Sequence, residues 1–295
     1  MFDSRFELTT VSTPECDLRV RHGGQGPGLL LLHGYPQTHA MWHALAPALA
    51  DRFHVVCPDL RGYGLSGKPA STADHAPYSK RAMAQDMVSL MHQLGHERFA
   101  VVGHDRGGRV THRMALDHPE RVTHACVMDI TPTLHMFETT DQHFASGYYH
   151  WFFLIQPDGL PETLIGHDPA WYLSEKLRRA SGPAFTFEPA ALEDYLACFA
   201  NPDTIHASCE DYRAAAGIDL VHDRASRDAG ERVTCPLLVL WGEHGFVHRS
   251  YDVPSVWSDY ADNVQCESLN TGHYVPEEDP SGTLTALNAF LKTPA

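Results

Sequence analysis

The sequence predicts an α/β fold in which a mostly parallel sheet is flanked by helices and carries an inserted helical segment. Short, continuous apolar runs such as residues 29–32 and 237–241 are typical of strands buried on both faces of a parallel sheet. Helical patterns separate these runs, so strand and helix alternate along the chain. Between residues 133 and 229 this alternation stops, and only helical patterns remain. We therefore expect a core formed by residues 1–132 and 230–295, with residues 133–229 as a helical cap.

The first half of the core can be followed element by element. Residues 5–22 predict one or two opening strands, and a glycine-rich turn leads into the strand at 29–32. A helix carrying Trp42, Leu45 and Leu49 is predicted next. The elements that follow are a strand at 53–57, a helix over about 80–94, a strand at 99–102, a helix ending near His118, and a strand at 122–130.

Helix boundary signals organise the cap. The Asp-Pro pair at 168–169 supplies an N-cap and a first-turn proline, which predict a helix start, and Gly-Pro at 182–183 predicts its end. Asn-Pro at 201–202 predicts a second helix that runs to residue 217. The core then resumes with a strand at 237–241, a short strand near Val264, and an amphipathic helix over 281–291.

Residues 99–110 contain the motif around which we expect the fold to be organised. A short apolar strand pattern runs into Gly103-His104-Asp105-Arg106-Gly107, and a helical pattern follows. This small-x-nucleophile-x-small layout is that of a strand–turn–helix elbow, whose turn is too tight for side chains beside the nucleophile. Strand–Asp–Gly turns are common, however, so a catalytic interpretation depends on partner residues elsewhere in the chain.

An aspartate at the centre of the elbow predicts attack on a saturated carbon rather than acyl transfer. Esterases have serine at this position, and a carboxylate that attacked a carbonyl would form an anhydride that collapses back. Displacement of a leaving group would instead form an ester on Asp105, which water then cleaves. This chemistry is that of dehalogenases and epoxide hydrolases.

Five polar residues fall at predicted carboxyl ends of strands, where ligands collect in open α/β sheets: His33, Asp105, Asp129, Glu243 and His273. Ester hydrolysis needs a base, and His273 on a glycine-preceded loop is the candidate. A carboxylate should fix its tautomer. Many proteins with such sheets carry that acid in a WGxxD turn, but the turn at 241–245 ends in glycine. Asp129 is therefore the predicted partner, Glu243 is a rival, and a purely structural Asp129 that caps a turn is the alternative.

Arg106 and Arg109 stand three residues apart at the start of the helix after the elbow, so both can lie beside Asp105. Guanidinium groups bind carboxylates in a bidentate manner and would reduce repulsion between an anionic substrate and the nucleophile. The pair predicts a small carboxylic acid held with its α-carbon over Asp105, and pairing with core acids is the structural alternative. The backbone N–H groups of Tyr35 and Arg106 are expected to stabilise the oxyanion of ester hydrolysis.

Composition restricts the class of protein. The 295 residues are 43% hydrophobic and 20% charged, which suits one large globular domain or a domain with an insertion. The net charge of −15 argues against nucleic acid and anionic membranes as partners. Seven cysteines without CxxC pairs, no signal-like amino terminus and no membrane-spanning apolar run predict a cytoplasmic protein. The 21 histidines show no zinc-binding spacing, so neither a metal nor another cofactor is expected.

Together these motifs resemble the fluoroacetate dehalogenases of the α/β-hydrolase superfamily along essentially the whole chain. The resemblance is carried by residues 33–38 (HGYPQT), 103–109 (GHDRGGR), 129–133 (DITPT), 149–151 (YHW), 211–213 (DYR), 240–243 (LWGE) and 272–277 (GHYVPE). The HGxP and GHDxG motifs are shared with haloalkane dehalogenases and epoxide hydrolases. The arginine pair combined with His150, Trp151 and Tyr212 is more specific.

The resemblance implies an α/β-hydrolase fold with an inserted cap and a role for each matching residue. Asp105 would be the nucleophile, His273 the base and Asp129 its partner, while Arg106 and Arg109 would bind the substrate carboxylate. The departing halide would be bound by three donors from the cap, His150, Trp151 and Tyr212. Without the resemblance, Trp151 and Tyr212 would be assigned to packing within the cap. Tyr35 stands where this family usually has phenylalanine, which leaves substrate fit open.

The predicted protein is an enzyme that hydrolyses haloacetates, converting fluoroacetate to glycolate and fluoride, and it is expected to be a homodimer as is typical of the family. An epoxide hydrolase is the alternative within the same fold, using two tyrosines among Tyr148, Tyr149 and Tyr212 to protonate the opening ring. The missing WGxxD acid opposes it, as does Arg106, where epoxide hydrolases usually have an aromatic residue. A non-catalytic ligand receptor is a third interpretation, opposed by the presence of Asp105 and His273.

Overall fold

An eight-stranded sheet forms the centre of the structure, a computed structural model that describes residues 2–292. In chain order the strands are β1 Phe6–Ser12, β2 Asp17–Gly23, β3 Gly28–Leu32, β4 His54–Pro58, β5 Phe99–His104, β6 Val122–Met128, β7 Leu237–Gly242 and β8 Val264–Leu269. Their order in the sheet is β1-β2-β4-β3-β5-β6-β7-β8. The β1–β2 and β2–β4 pairs are antiparallel and the others are parallel, which confirms the predicted α/β fold.

The central strands are buried on both faces because helices cover the sheet on both sides. Every residue of β3, β5 and β7 is buried, in agreement with their continuous apolar sequences. The two edge strands differ, since β1 and β8 alternate between buried or half-buried and exposed positions. The strands nearest the elbow are thus the most firmly enclosed part of the sheet.

The helices of the first half mostly match the expected ranges: α1 Ala46–Leu49, α2 Lys80–Gln93 and α3 Arg106–Asp117. The single helix expected around Trp42 is wrong, because residues His39–Ala44 form a 3₁₀ helix and α1 is only four residues long. Pro47 explains the break, since a proline has no N–H with which to continue the hydrogen-bond ladder of a preceding turn. A further 3₁₀ helix spans Ala76–Tyr78.

Eight helices and no strand occupy the chain between β6 and β7, as expected: α4 Thr133–Glu138, α5 Gln142–Gly147, α6 His150–Phe153, α7 Leu160–His167, α8 Pro169–Ala180, α9 Pro189–Phe199, α10 Pro202–Ala216 and α11 Ile218–Asp228. The Asp168 carboxylate accepts the Trp171 N–H and caps α8. The Asn201 side chain likewise accepts the Asp203 N–H and caps α10. We refer to residues 133–228 as the helical segment, and its assignment as a separate cap stays a prediction.

Four helices complete the chain: α12 Phe246–Ser250, α13 Val253–Ser258, α14 Val275–Glu278 and α15 Pro280–Phe290. One continuous hydrophobic core joins the sheet to the helical segment, since it includes Leu30 and Val239 as well as Trp151 and Tyr212. Within residues 2–292, no helix combines the length and apolar character needed to cross a lipid bilayer.

Candidate active site

The turn at Asp105 has the geometry of the predicted elbow. Asp105 lies between β5 and α3 with φ 47° and ψ −113°, a backbone conformation that L residues rarely adopt. Close approach of the chain explains the flanking glycines. A Cβ atom at Gly103 would overlap the Gly107 carbonyl oxygen, and one at Gly107 would overlap the carbonyl oxygens of Leu32 and His33. The motif therefore reflects steric necessity on both sides of the aspartate.

The Asp105 carboxylate faces a cavity of about 990 Å³. Among residues 2–292, no group donates a hydrogen bond to it. Burial would raise the pKa of Asp105, but the nearby charges of His273, Arg106 and Arg109 outweigh burial and hold this pKa below its ordinary value. Asp105 is thus an ionised carboxylate directed at open space, as a nucleophile must be.

His273 and Asp129 are paired beside the same cavity. His273 Nδ1 is 2.6 Å from Asp129 Oδ2, and Asp129 Oδ1 accepts the Gly242 N–H at 3.1 Å. A hydrogen bond from Nδ1 leaves the lone pair of Nε2 available as a base. The backbone of His273 is fixed as well, because its carbonyl oxygen accepts from His104 Nε2 at 2.7 Å. Burial lowers the pKa of His104 to about 3, so this imidazole is a neutral structural support.

The loop after β7 shows why the acid comes from the end of β6. A Cβ atom at Gly245 would lie 3.1 Å from Asp129 Oδ1, so the glycine that replaces the expected acid leaves room for Asp129. Glu243, the rival acid, accepts a hydrogen bond from the Ser268 hydroxyl at 2.9 Å, whereas the ion pair of His273 within residues 2–292 is with Asp129. The structure pairs His273 with Asp129.

Arg106 is paired with a buried acid, which was the structural alternative to a role in carboxylate binding. Its Nε and Nη2 donate to the two carboxylate oxygens of Asp211 at 2.8 and 2.7 Å, and Nη2 also donates to the Asp211 carbonyl. Its Nη1 is buried without a hydrogen-bond partner among the described residues. The guanidinium carbon lies 4.2 Å from the centre of the Tyr212 ring. One donor of Arg106 therefore remains for a ligand.

Arg109 has no acidic partner among residues 2–292. Its Nη1 donates to the Thr131 carbonyl and the Thr133 hydroxyl at 3.1 and 3.0 Å, while Nε is buried and unpaired. The guanidinium carbon lies 4.6 Å from the centre of the Trp151 ring. Neither arginine belongs to the cavity lining, whereas Trp151 and Tyr212 do. Each expected carboxylate ligand thus lies against a ring that faces the cavity.

The three expected halide ligands meet in the cavity wall. His150 and Trp151 begin α6, Tyr212 lies on α10, and all three line the cavity together with Asp105. The Tyr212 ring centre is 5.8 Å from that of His150 and 6.2 Å from that of Trp151. Within the described range, neither the Trp151 indole N–H nor the Tyr212 hydroxyl has a hydrogen-bond partner. The site therefore offers two unused donors beside Asp105.

Tyr35 contributes both backbone and ring. Within residues 2–292, the N–H groups of Tyr35 and Arg106 make no hydrogen bond to a backbone carbonyl, which suits the expected oxyanion role. The Tyr35 ring packs edge-on against Tyr212 at 5.3 Å, and its hydroxyl donates to the Tyr172 hydroxyl at 3.1 Å. The hydroxyl that distinguishes this tyrosine from the phenylalanine usual in the family is thus hydrogen-bonded to α8.

The sequence analysis did not identify two residues of the site. Asp211 is the buried acid that holds Arg106, and Lys176 on α8 lines the cavity beside His150. The sequence contains an indication for Lys176, because this lysine lies on the apolar helix face defined by Leu173 and Leu177, where a charged residue is unexpected. For Asp211 the sequence contains no indication beyond its place in the DYR motif. His33, by contrast, is a structural residue, since its ring nitrogens bond to the Gly34 carbonyl and the Leu60 N–H.

Comparison with known proteins agrees with this geometry. A family model described as the α/β hydrolase fold matches residues 27–280. A fluoroacetate dehalogenase from Burkholderia sp is 46% identical over 292 residues, which cover 99% of this chain and 95% of the relative. A soluble epoxide hydrolase from Corynebacterium sp. (strain C12) is 33% identical over 276 residues, 90% of this chain and 91% of the relative. A crystal structure of a protein from Nostoc sp PCC 7120, described as an α/β hydrolase, is 55% identical with a TM-score of 0.96 and covers 98% of each chain.

Proposed function

The chain belongs to the α/β hydrolase family, and from this premise we propose that it is a hydrolytic dehalogenase that converts fluoroacetate to glycolate and fluoride. The observation that carries the proposal is the ionised Asp105 carboxylate, which faces a cavity shared with His273 and with unused donors on Trp151 and Tyr212. The identity to a fluoroacetate dehalogenase over nearly the whole chain supports the same reaction.

In the first step an Asp105 oxygen attacks the halogen-bearing carbon. A carbon–oxygen bond forms as the carbon–fluorine bond breaks, and fluoride leaves with the electron pair. Negative charge moves from Asp105 toward the halide, so donors aimed at the halide stabilise the transition state more than the ground state. Trp151 and Tyr212 supply two such donors, and a neutral His150 supplies a third.

In the second step water cleaves the ester on Asp105. His273 Nε2 takes a proton from water as the oxygen attacks the Asp105 carboxyl carbon, and Asp129 stabilises the resulting imidazolium. The backbone N–H groups of Tyr35 and Arg106 stabilise the tetrahedral oxyanion. Collapse releases glycolate, whose oxygen takes the proton from His273. Asp105 is left as a carboxylic acid, and loss of its proton to solvent regenerates the carboxylate.

The substrate carboxylate is assigned to the arginine pair. Arg106 Nη1 and Arg109 Nε are both buried donors that lack partners among the described residues, so a carboxylate placed between them would satisfy both. The two guanidinium groups lie against Tyr212 and Trp151, so a carboxylate bound to them would be next to the proposed halide site, as a two-carbon substrate requires.

Fluoride release and isotope transfer test the proposal together. A fluoride electrode should register one fluoride for each glycolate formed from fluoroacetate. A single turnover in heavy-oxygen water should give glycolate that carries light oxygen from Asp105. Heavy oxygen in this first product would mean that water attacks the substrate directly, and the ester mechanism would be wrong.

Epoxide hydrolysis is the second candidate, since several tyrosines share the cavity with Asp105. Tyr148, Tyr149 and Tyr212 all line it, and Tyr149 is the most exposed of the three at 44%. An epoxide opened by Asp105 would need such phenols to protonate its oxygen. Styrene oxide assayed beside fluoroacetate separates the candidates: diol formation without fluoride release would favour the epoxide hydrolase.

Two further expectations complete the proposal. Seven unpaired cysteines support a protein that works in a reducing compartment such as the cytoplasm. A homodimer is expected from the family resemblance, and light scattering after gel filtration would measure it. A monomer at assay concentration would contradict this expectation.

A further inference from the structure

Lys176 is a cation in the cavity that the two-step reaction does not use. Its Nζ lies 3.1 Å from Nδ1 and 3.2 Å from Nε2 of His150, and 6.0 Å from the centre of the Tyr148 ring. Among residues 2–292, no carboxylate oxygen lies within 4.0 Å of this ammonium. Lys176 is half-buried, and even partial removal of an ammonium from water without a counter-charge is unfavourable. An unpaired lysine in the cavity therefore indicates that an anion from solution binds beside it.

The other charges near Asp105 also indicate that Lys176 has an anionic partner from solution. Asp211 compensates Arg106, whereas Arg109 contacts only neutral acceptors. Apart from Asp129, which is paired with His273, the reacting complex contains two anions at each stage. Before halide displacement they are Asp105 and the substrate carboxylate, and after it they are the carboxylate of the ester and the halide. Of the cations close to Asp105, Arg109 and Lys176 are the two without an acidic partner among residues 2–292. The other charged lining residues are exposed to solvent or paired on α8: Glu175, Arg178, Arg179, Glu243 and Arg249. One cation is thus available for the carboxylate and one for the halide.

We propose that Lys176 is the cationic member of the halide site, stabilising the departing halide through the imidazole of His150. This inference rests on the proposed dehalogenase function and names a positioning residue for it. The ammonium supplies positive charge to the end of the cavity that the halide enters, and it faces the imidazole without singling out one ring nitrogen.

The ammonium also fixes the charge state of His150. Burial lowers the pKa of His150 well below its ordinary value, and the charge of Lys176 lowers it further. A neutral imidazole carries one N–H, which it can donate to a halide. Two functions are thereby separated: His150 provides the hydrogen bond, and Lys176 provides the full positive charge that a neutral donor lacks.

The groups around Lys176 determine how the site responds to pH. The charged and titratable groups that face Lys176 or His150 come from five parts of the chain: Tyr35 from the loop after β3, Asp105, Arg106 and Arg109 from the elbow and α3, Tyr148 and Tyr149 between α5 and α6, Tyr212 from α10, and His273 from the loop after β8. On α8 itself, Glu175 is paired with Arg178 and Arg179. Burial lowers the pKa of Lys176 to about 8, although the negative charge of Asp105 raises it. The positive charge is therefore present below this pH and lost above it.

The first experiment measures kcat for fluoroacetate against pH in three proteins. In the unmodified enzyme, kcat should fall as the pH rises through about 8. Lys176→Arg should stay active and lose this fall, because a guanidinium does not titrate there. Lys176→Met should be slower at neutral pH by about tenfold or more and should show no fall. The loss should be larger for fluoroacetate than for chloroacetate, because fluoride concentrates its charge.

Two controls separate Lys176 from other sources of the alkaline fall. Burial raises the pKa of the Glu277 carboxyl to about 8, so Glu277→Gln should be measured as well and should keep the fall. Lys68, whose ammonium donates to the carbonyls of Gly64 and Ser66 outside the cavity, is the matched lysine, and Lys68→Met should keep it too. A fall that persists in Lys176→Arg would overturn the proposal.

A second experiment needs no turnover and therefore distinguishes this inference from the proposed function. Chloride and bromide are titrated at pH 7 while tryptophan fluorescence is followed, with Trp151→Phe identifying the signal from the site. Lys176→Met should weaken chloride binding about tenfold or more, and Lys176→Arg should restore most of it. Equal chloride affinity in the three proteins would overturn the role of Lys176 even if fluoroacetate is hydrolysed. Failure to release fluoride with Lys176-dependent chloride binding would instead contradict only the proposed reaction.

Discussion

At the scale of single residues, two aspartates with left-handed backbone angles carry the proposed chemistry. Asp105 has φ 47° and Asp129 has φ 51°. Such conformations cost roughly 1–3 kcal/mol for a residue with a side chain, so the surrounding structure must compensate. The Asp105 N–H donates to the Met128 carbonyl and the Asp129 N–H to the Leu240 carbonyl. Each strained loop is thus fastened to the end of the neighbouring strand, which keeps both carboxylates in place.

Replacement of the base should trap the intermediate. In His273→Gln the ester on Asp105 should still form, because displacement of the halide does not need a base, but water should no longer cleave it efficiently. Mass spectrometry after incubation with fluoroacetate should find the protein heavier by one carboxymethyl group. The double variant Asp105→Asn/His273→Gln is the control and should remain unmodified. An unmodified single variant would contradict the two-step route.

Loss of a guanidinium should weaken substrate binding. Arg109→Leu removes a charged donor from the expected carboxylate site, and hydrogen bonds to charged groups contribute about 1.5–3 kcal/mol. KM for fluoroacetate should therefore rise about 10- to 100-fold with a smaller change in kcat. Arg224→Leu removes a half-exposed arginine of α11 and serves as the control. An unchanged KM in Arg109→Leu would remove this residue from the substrate site.

At the scale of elements, α10 fastens the helical segment to the elbow through one buried acid. The Asp211 carboxylate accepts from Arg106 on α3, from Lys80 on α2, and from the Tyr63 hydroxyl at 2.6 Å. Burial alone would raise the pKa of Asp211, but Arg106 and Lys80 hold it well below its ordinary value. This network keeps Arg106 in a fixed orientation beside the nucleophile.

Removing the acid of this network should be costly. Asp211→Asn would leave Arg106 buried with uncompensated charge and Lys80 with only the more distant Asp219 carboxylate at 3.5 Å, and breaking a buried pair typically destabilises by about 3–5 kcal/mol. Urea unfolding should report this loss of free energy. The neighbouring Glu210, which bonds partly exposed Arg213 and His75, gives the control Glu210→Gln with a smaller effect. Equal losses in the two variants would contradict the central role of Asp211.

The elements were predictable from sequence where their signals are local. Continuous apolar runs identified β3, β5 and β7, and the capping residues Asp168 and Asn201 marked the starts of α8 and α10. The pairing of His273 with Asp129 could be suggested because both follow strands that end at one edge of the sheet. The hydrogen bond between Arg106 and Asp211 could not, since it joins residues 105 positions apart with no periodic pattern to relate them.

At the scale of the whole molecule, a second buried acid links three parts of the chain. Glu277 on α14 accepts from the Gln37 amide at 2.5 Å and from the Tyr195 hydroxyl of α9 at 2.9 Å, with no cation beside it among the described residues. Burial raises the pKa of this carboxyl to about 8. At neutral pH the side chain is therefore mostly a neutral acid that connects the loop after β3 to the helical segment.

This acid should make stability depend on pH. In the unfolded chain the carboxyl loses its proton near pH 4.3, whereas the folded protein keeps it until about pH 8. Between these values unfolding releases a proton, so stability should decrease as the pH rises, by up to about 1.4 kcal/mol per pH unit.

Glu277→Gln should remove that dependence. A glutamine mimics the neutral acid and can donate to Gln37 Oε1, which is buried without a partner among residues 2–292. Urea midpoints at pH 5 and pH 8 should therefore differ less in Glu277→Gln than in the unmodified protein. The same difference in both proteins would assign the pH dependence to another group.

The division of the site between two parts of the chain has a consequence for how such enzymes diversify. The residues proposed to form and cleave the ester, Asp105, Asp129 and His273, follow strands of the sheet, whereas the proposed halide ligands His150, Trp151 and Tyr212 come from the helical segment. Leaving-group preference can thus be inherited separately from hydrolytic chemistry. A graft of residues 133–228 onto the strands of a related hydrolase should carry the preference with it, provided that Asp211 finds an arginine at the position of Arg106. Without that match, the junction would trap an unneutralised charge and the chimera would not fold.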